Sequence, residues 1–281
     1  MRWQGRRGSK NIEDRRRSSR GAVVGGGGIG VVVIALLVWA LGGDPVAVLQ
    51  SSEGVQPSDG QITPADEQSA EFVSVVLADT EEIWADIFRE QLGQEYIPAT
   101  LVLFKVATMS GCGGANAATG PFYCPTDKKI YLDTDFFVTL SRQLGANGDF
   151  AAAYVVAHEV GHHVQDLIGI LGTTTNIRQQ VGEAEANAIS VLVELQADCF
   201  AGLWANKAEE KFGSLERGDI AEAINAAEKI GDDTLQRNAG RRPMPDSFTH
   251  GTSEQRQHWF AQGYLNARID SCDTFQSAFS E

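Results

Sequence analysis

His158-Glu159-Val160-Gly161-His162 constrains this chain more than any other stretch, because its chemistry exists only if the segment is helical. Residues four apart on an α-helix lie one turn above each other on the same face, so the rings of His158 and His162 can converge on one tetrahedral Zn²⁺. The flanks supply the helix. Asp149 is placed to cap a charge-free run from Phe150 to Ala157, and Gly169 is placed to end it, which predicts a helix over 149–168. Glu159, next to the first imidazole, is positioned to take a proton from a water whose pKa a zinc ion lowers towards neutrality. Two histidines on a helix can also simply face water, but the apolar surroundings of this pair argue for a buried face.

A catalytic zinc takes three protein ligands and keeps a fourth position open. The best third candidate is Glu194, in the run Glu194-Leu195-Gln196-Ala197-Asp198 on a second long helical pattern over 183–211. Asp198 shares its face and is suited to accept the other N–H of a ligand histidine. Asp198 itself, Glu183 and Glu185 compete for the third ligand position.

The 281 residues suffice for one substantial domain with appendages. The net charge of −14 is unevenly placed, since positions 1–20 hold eight Lys or Arg against two acids. The strongly acidic remainder would repel phosphates, which excludes nucleic acid as a partner. Residues 1–20 read as a basic, unstructured cytoplasmic tail. Residues 21–43 carry no charge and match the roughly 20 apolar residues of a transmembrane helix. The basic flank would then leave the N-terminus inside and everything after residue 44 outside. A cleaved signal peptide ending at Ala40-Leu41-Gly42 is the alternative. Gly25-x-Gly27-x-x-Gly30 has the spacing of a dinucleotide fingerprint but follows no strand. Residues 44–62, rich in Ser, Gly and Pro, read as a linker before a domain over 63–281.

Within that domain Thr63-Pro64-Ala65-Asp66 announces a helix ending near Gly93. Strands are expected at 101–106 and 129–133, a glycine-rich loop at 110–126, and a short helix at 133–144. Residues 172–180 read as a polar loop able to rim a cleft, 217–230 as a helix, 231–248 as irregular, and 253–267 as a last helix capped by Thr252 or Ser253. The fold class is therefore α+β and mostly helical. Four cysteines allow three pairings; an oxidising compartment and the shortest closure favour Cys112–Cys124, which leaves Cys199–Cys272.

His158-Glu159-Val160-Gly161-His162-His163-Val164-Gln165, then Glu194 to Gly202, then His250-Gly251-Thr252-Ser253-Glu254-Gln255-Arg256 together resemble the neutral zinc metallopeptidases of bacterial membranes. The likeness runs nearly end to end. More distantly, the spacing is similar to that of membrane endopeptidases that cut prenylated proteins. The resemblance implies a zincin-like domain with one zinc ion, Glu194 as third ligand, Asp198 as its helper, His250 facing the substrate oxyanion and Arg256 as a structural partner. It also implies that strand 129–133 holds an extended substrate. Gly251 stands where the prenyl-type enzymes carry proline. The expected function is hydrolysis of peptide bonds in peptide or protein substrates by a single-pass, membrane-anchored zinc metallopeptidase whose domain lies outside the cytoplasmic membrane. A non-catalytic zinc-containing scaffold, or a zinc amidase acting on cell-wall peptides, are the alternatives. Glu159 favours an enzyme, because a structural zinc site has no use for it.

Overall fold

The centre of the molecule is the helix that carries the motif. It runs Asp149–Leu167 and is buried on every side from Phe150 to Gly161, as its charge-free sequence requires. The structure is a computed structural model that describes residues 1–17, 61–116, 119–142 and 145–278. The expected membrane segment at 21–43 and the linker up to residue 60 lie outside the described residues.

In chain order the elements are β1 (Ile12–Asp14), α1 (Pro64–Ile87, continued by a π-helical turn to Leu92), β2 (Thr100–Phe104), β3 (Ala107–Ser110) and β4 (Gly113–Asn116). There follow β5 (Phe122–Cys124), β6 (Lys129–Asp133), α2 (Phe136–Arg142), α3 (Asp149–Leu167), α4 (Ile170–Arg178) and α5 (Glu183–Phe212). The chain continues through α6 (Asp219–Lys229), α7 (Asp232–Asn238), α8 (Ser253–Asn266) and α9 (Thr274–Ala278). The molecule is thus α+β and mostly helical. Its sheet has the order β1-β2-β6-β5, parallel except for the antiparallel β5, and β3 and β4 form a separate hairpin.

Local chemistry explains the longest helices. Thr63 caps α1 in a full capping box with Asp66, followed by Pro64 in the first turn. Thr252 caps α8 in the same way with Gln255. Gly169, in the left-handed region at φ 83°, follows the end of α3 as expected. Asp149 is not the cap of α3, however. It lies in the first turn, and Glu222 of α6 accepts the free N–H of Phe150 at 3.1 Å.

The core joins α1, α3, α5 and α8. Phe150 stacks on Trp204 at 5.9 Å between ring centroids, and Trp84 meets Phe200 edge-on at 5.4 Å. Three glycines set how closely the helices approach. A Cβ on Gly202 would lie 2.0 Å from the Phe260 carbonyl oxygen, and one on Gly263 would lie 1.9 Å from that of Cys199, so α5 and α8 touch backbone to backbone. A Cβ on Gly161, inside the motif, would lie 3.1 Å from the Ala197 carbonyl oxygen, so this residue lets α3 and α5 close together.

Several expectations are corrected. Residues 1–17 are no free tail: β1 pairs with β2 in parallel, and Met1 and Trp3 are buried. Their arginines find acids on the domain, with Arg6 bound to Asp79 through two bonds of 2.7 Å. The amino group of Met1 lies 2.9 Å from Asp149 and 3.0 Å from Glu216. The stretch 107–124 contains three short strands rather than one loop, while α4 and α7 form where loop was expected. The short helix expected from Asp133 begins at Phe136 and is described to Arg142. Strand β6, expected to hold an extended substrate, is interior to the sheet; β5 is the edge that approaches α3. Both expected disulfides are present, Cys112–Cys124 and Cys199–Cys272. Among the described residues one helix, α5, is long and apolar enough to cross a membrane, but 78% of its apolar stretch is buried within the fold, as in a core helix.

Candidate metal centre and cleft

The close contact of α3 and α5 at Gly161 brings the candidate donors together. Nε2 of His158 lies 3.2 Å from one carboxylate oxygen of Glu194, and Nε2 of His162 lies 3.4 Å from the other. One donor atom from each of the three residues falls within 4.8 Å of the other two. Glu183 and Glu185, the competing choices, are not in this group, and Asp198 is turned to a different task.

Each imidazole is held from behind. Asp198 lies 2.8 Å from Nδ1 of His158, and the Gln165 side-chain oxygen lies 2.9 Å from Nδ1 of His162. Both rings therefore turn Nε2 towards Glu194. Gln165 is fixed in turn, donating to the Val193 carbonyl at 2.8 Å and to Gln196 at 3.0 Å. Burial would raise the Glu194 carboxyl, yet the neighbouring His162 and His158 outweigh it and hold it well below the usual range. Two imidazole nitrogens and one ionised carboxylate, on helices packed to a fixed distance, fit a zinc ion with an open fourth position.

Asp198 is the hub of this layer. It is fully buried, accepts from Nε of Arg256 at 2.8 Å and from Nη2 at 3.0 Å, and accepts the Tyr154 hydroxyl as well. Burial would raise this carboxyl too, but the Arg256 guanidinium and His158 hold it below its ordinary value. Arg256, expected as a structural partner, is thereby brought within bonding distance of Asp198 on α5 and Tyr154 on α3.

The donors open onto a cleft of about 550 Å³. Glu159, His250, Tyr154 and Arg178 line it with apolar Phe122, Phe136 and Leu171. His250 reaches it from the loop before α8, where Asp232 is its anchor. One Asp232 oxygen accepts the backbone N–H groups of Thr249, His250 and Gly251, and the other lies 3.3 Å from the His250 ring. The bond to Asp232 raises the His250 imidazole above its ordinary value. Gly251 has φ 90°, which proline cannot adopt, so the loop that presents His250 is built differently from a proline-containing one.

The family described as "Putative neutral zinc metallopeptidase" matches residues 1–275. The chain belongs to this family. Over 285 residues it is 45% identical to the Escherichia coli K12 protein named "Uncharacterized protein YpfJ", covering 98% of this chain and 99% of that one. It is 46% identical over 186 residues to "Uncharacterized protein Rv2575" of Mycobacterium tuberculosis H37Rv, covering 63% of this chain and 62% of the relative. No solved structure matches it. The family's zinc description agrees with the donor set, and its span takes in the basic N-terminal segment that the structure packs onto the domain.

Three residues of this site, Tyr154, Gln165 and Asp232, are given no role by the sequence alone. Tyr154 stands four residues before His158 and Gln165 three after His162, so helical spacing alone could have placed both on the ligand face. Nothing near Asp232 in sequence points to its role, because its partner lies eighteen residues on.

Proposed function

We propose that the protein is a zinc-dependent peptidase that hydrolyses peptide bonds, with Glu159 as general base. The observation that carries this reading is that His158, His162 and Glu194 converge on the wall of the cleft that Glu159 also lines. Zinc bound by those three residues would polarise a substrate carbonyl and acidify a water. Glu159 would take the proton of the attacking water and return it to the leaving nitrogen. His250, kept in place by Asp232, donates from its free ring nitrogen to the developing oxyanion. Asp198 and Gln165 hold the two ligand rings in one tautomer throughout.

The substrate backbone lies along β5 rather than β6. Strand β5 is paired on one side, to β6, and residues 119–123 border the cleft. An extended peptide added there continues the sheet through main-chain bonds. The two disulfides support a domain working in an oxidising compartment outside the cytoplasm.

The test is metal analysis of the purified full chain, joined to digestion of a peptide library that includes cell-wall peptides. Glu159→Gln is expected to retain zinc and lose turnover. Cleavage by this variant at the wild-type rate would refute the assignment of the base, and cleavage confined to cell-wall peptides would favour an amidase.

A further inference from the structure

The N-terminal segment carries an inference about topology that is independent of the chemistry above. Residues 1–17 are built into the domain by three kinds of contact. Strand β1 pairs in register with β2, Ile12 opposite Leu101 and Asp14 opposite Leu103, and is bracketed by backbone bonds from Leu101 to Asn11 at 2.8 Å and from Arg15 to Leu103 at 2.7 Å. Trp3 packs edge-on against Phe72 at 5.5 Å, with 5% of its surface exposed. Arg6 covers Asp79, whose side chain is 5% exposed, and Arg16, at 4%, bonds Glu67 at 3.0 Å and the Asp66 carbonyl at 3.0 Å.

These contacts remove the reason for assigning the basic segment to the cytoplasm. A run of arginines near an apolar stretch orients a membrane protein when those charges stay in water on one side. Here Arg6, Arg7, Arg15, Arg16 and Arg17 have carboxylate partners within the folded protein. Drawing residues 1–17 to the far side of a bilayer would strip β2 of one of its two neighbours and leave Asp79 a buried charge without its cation.

We infer that residues 1–17 and 61–278 lie on the same side of the membrane as one folded unit, in place of the inside tail and outside domain that composition suggests.

A cysteine pair tests this directly. A Cβ on Gly8 would lie 3.6 Å from the Ser74 Cβ, within the range a disulfide spans. The full chain carrying Gly8→Cys and Ser74→Cys, with a protease site inserted after Gly54, is oxidised in native membranes and then cleaved. The two fragments are expected to remain joined without reductant and to separate with it, whereas either single cysteine leaves them separate. A second measurement guards against a pair that fails to close. Lys10→Cys and Glu210→Cys, both at exposed positions, are labelled one at a time with a membrane-impermeant maleimide in intact and in lysed cells. Labelling of both under the same condition supports the inference. If they react from opposite sides of the membrane, the inference is overturned.

Discussion

Arg256→Met removes the cation that faces Asp198 in the core, and the cost can be worked from the contacts. Two charge-assisted bonds of 2.8 and 3.0 Å and a third of 3.3 Å to the Tyr154 hydroxyl are lost. Both side chains of the pair are almost wholly excluded from water, at 3% and 0% exposure. Removing one partner of such a pair costs about 3–5 kcal/mol, a large share of the roughly 5–15 kcal/mol that stabilises a domain. Asp198→Asn should cost a similar amount for the opposite reason, because a buried guanidinium is then left without its anion. The double variant removes both charges, so its loss should fall short of the sum by about 1–3 kcal/mol. Urea titration of the four proteins with zinc removed measures this coupling. Zinc affinity separates the two residues further. Asp198→Asn takes the charged acceptor from His158 and should weaken binding by about 10–100-fold, whereas Arg256→Met leaves that bond in place and should weaken it less. Additive stability losses, or equal losses of zinc affinity, would show that Asp198 is not the joint between core and metal site.

Three further outcomes follow from contacts described above. Gly202→Ala drives a methyl into the Phe260 carbonyl, where no rotamer change offers relief, and should lower stability by at least about 1–3 kcal/mol in a thermal or urea melt; a variant as stable as wild type would mean that α5 and α8 are farther apart. Burial would raise the Asp66 carboxyl, but the Thr63 backbone and Lys105 outweigh it and hold the group at about 2. With a folded pKa below the unfolded one, its stabilisation is present above about pH 4 and is lost as pH falls towards 2, so Asp66→Asn should flatten the fall of stability across that interval; an unchanged pH profile would count against the ionised contact. Cys199→Ser with Cys272→Ser opens a loop of 73 residues and should cost about 4 kcal/mol of equilibrium stability in chain entropy, read from a urea melt, and a loss near zero would argue that the bridge does not form in the native protein.

The parts of this molecule legible in its sequence are those whose signals are local. The capping residues Thr63 and Thr252, the terminating Gly169 and the charge-free run before His158 each fix a helix through neighbours in sequence. Glu194 could be chosen because it recurs with Asp198 at helical spacing. What escaped detection depends on distant partners. Strand β1 is three residues long in an arginine-rich stretch, and its pairing with Leu101–Leu103 lies almost ninety residues away. The strands between 107 and 124 are too short and glycine-rich to show alternation, and α4 contains a threonine triplet whose propensity argues against a helix until α3 and α5 supply a surface. Asp232 anchors the His250 loop through three backbone bonds that no periodicity encodes.

One helix, α5, bears Glu194, Asp198, the bridging Cys199 and the Gly202 contact within nine residues. The candidate donor set is thereby welded to the least deformable part of the molecule, and any drift of the donors would have to move the entire interior. On the proposed peptidase reading, adaptation to different peptides would come from the periphery: the stretch before β5, helix α4 with Arg178, and helix α7 with Leu235 border the cleft. Grafting those borders from one relative to another should exchange preference for side chains while leaving the cation's grip untouched.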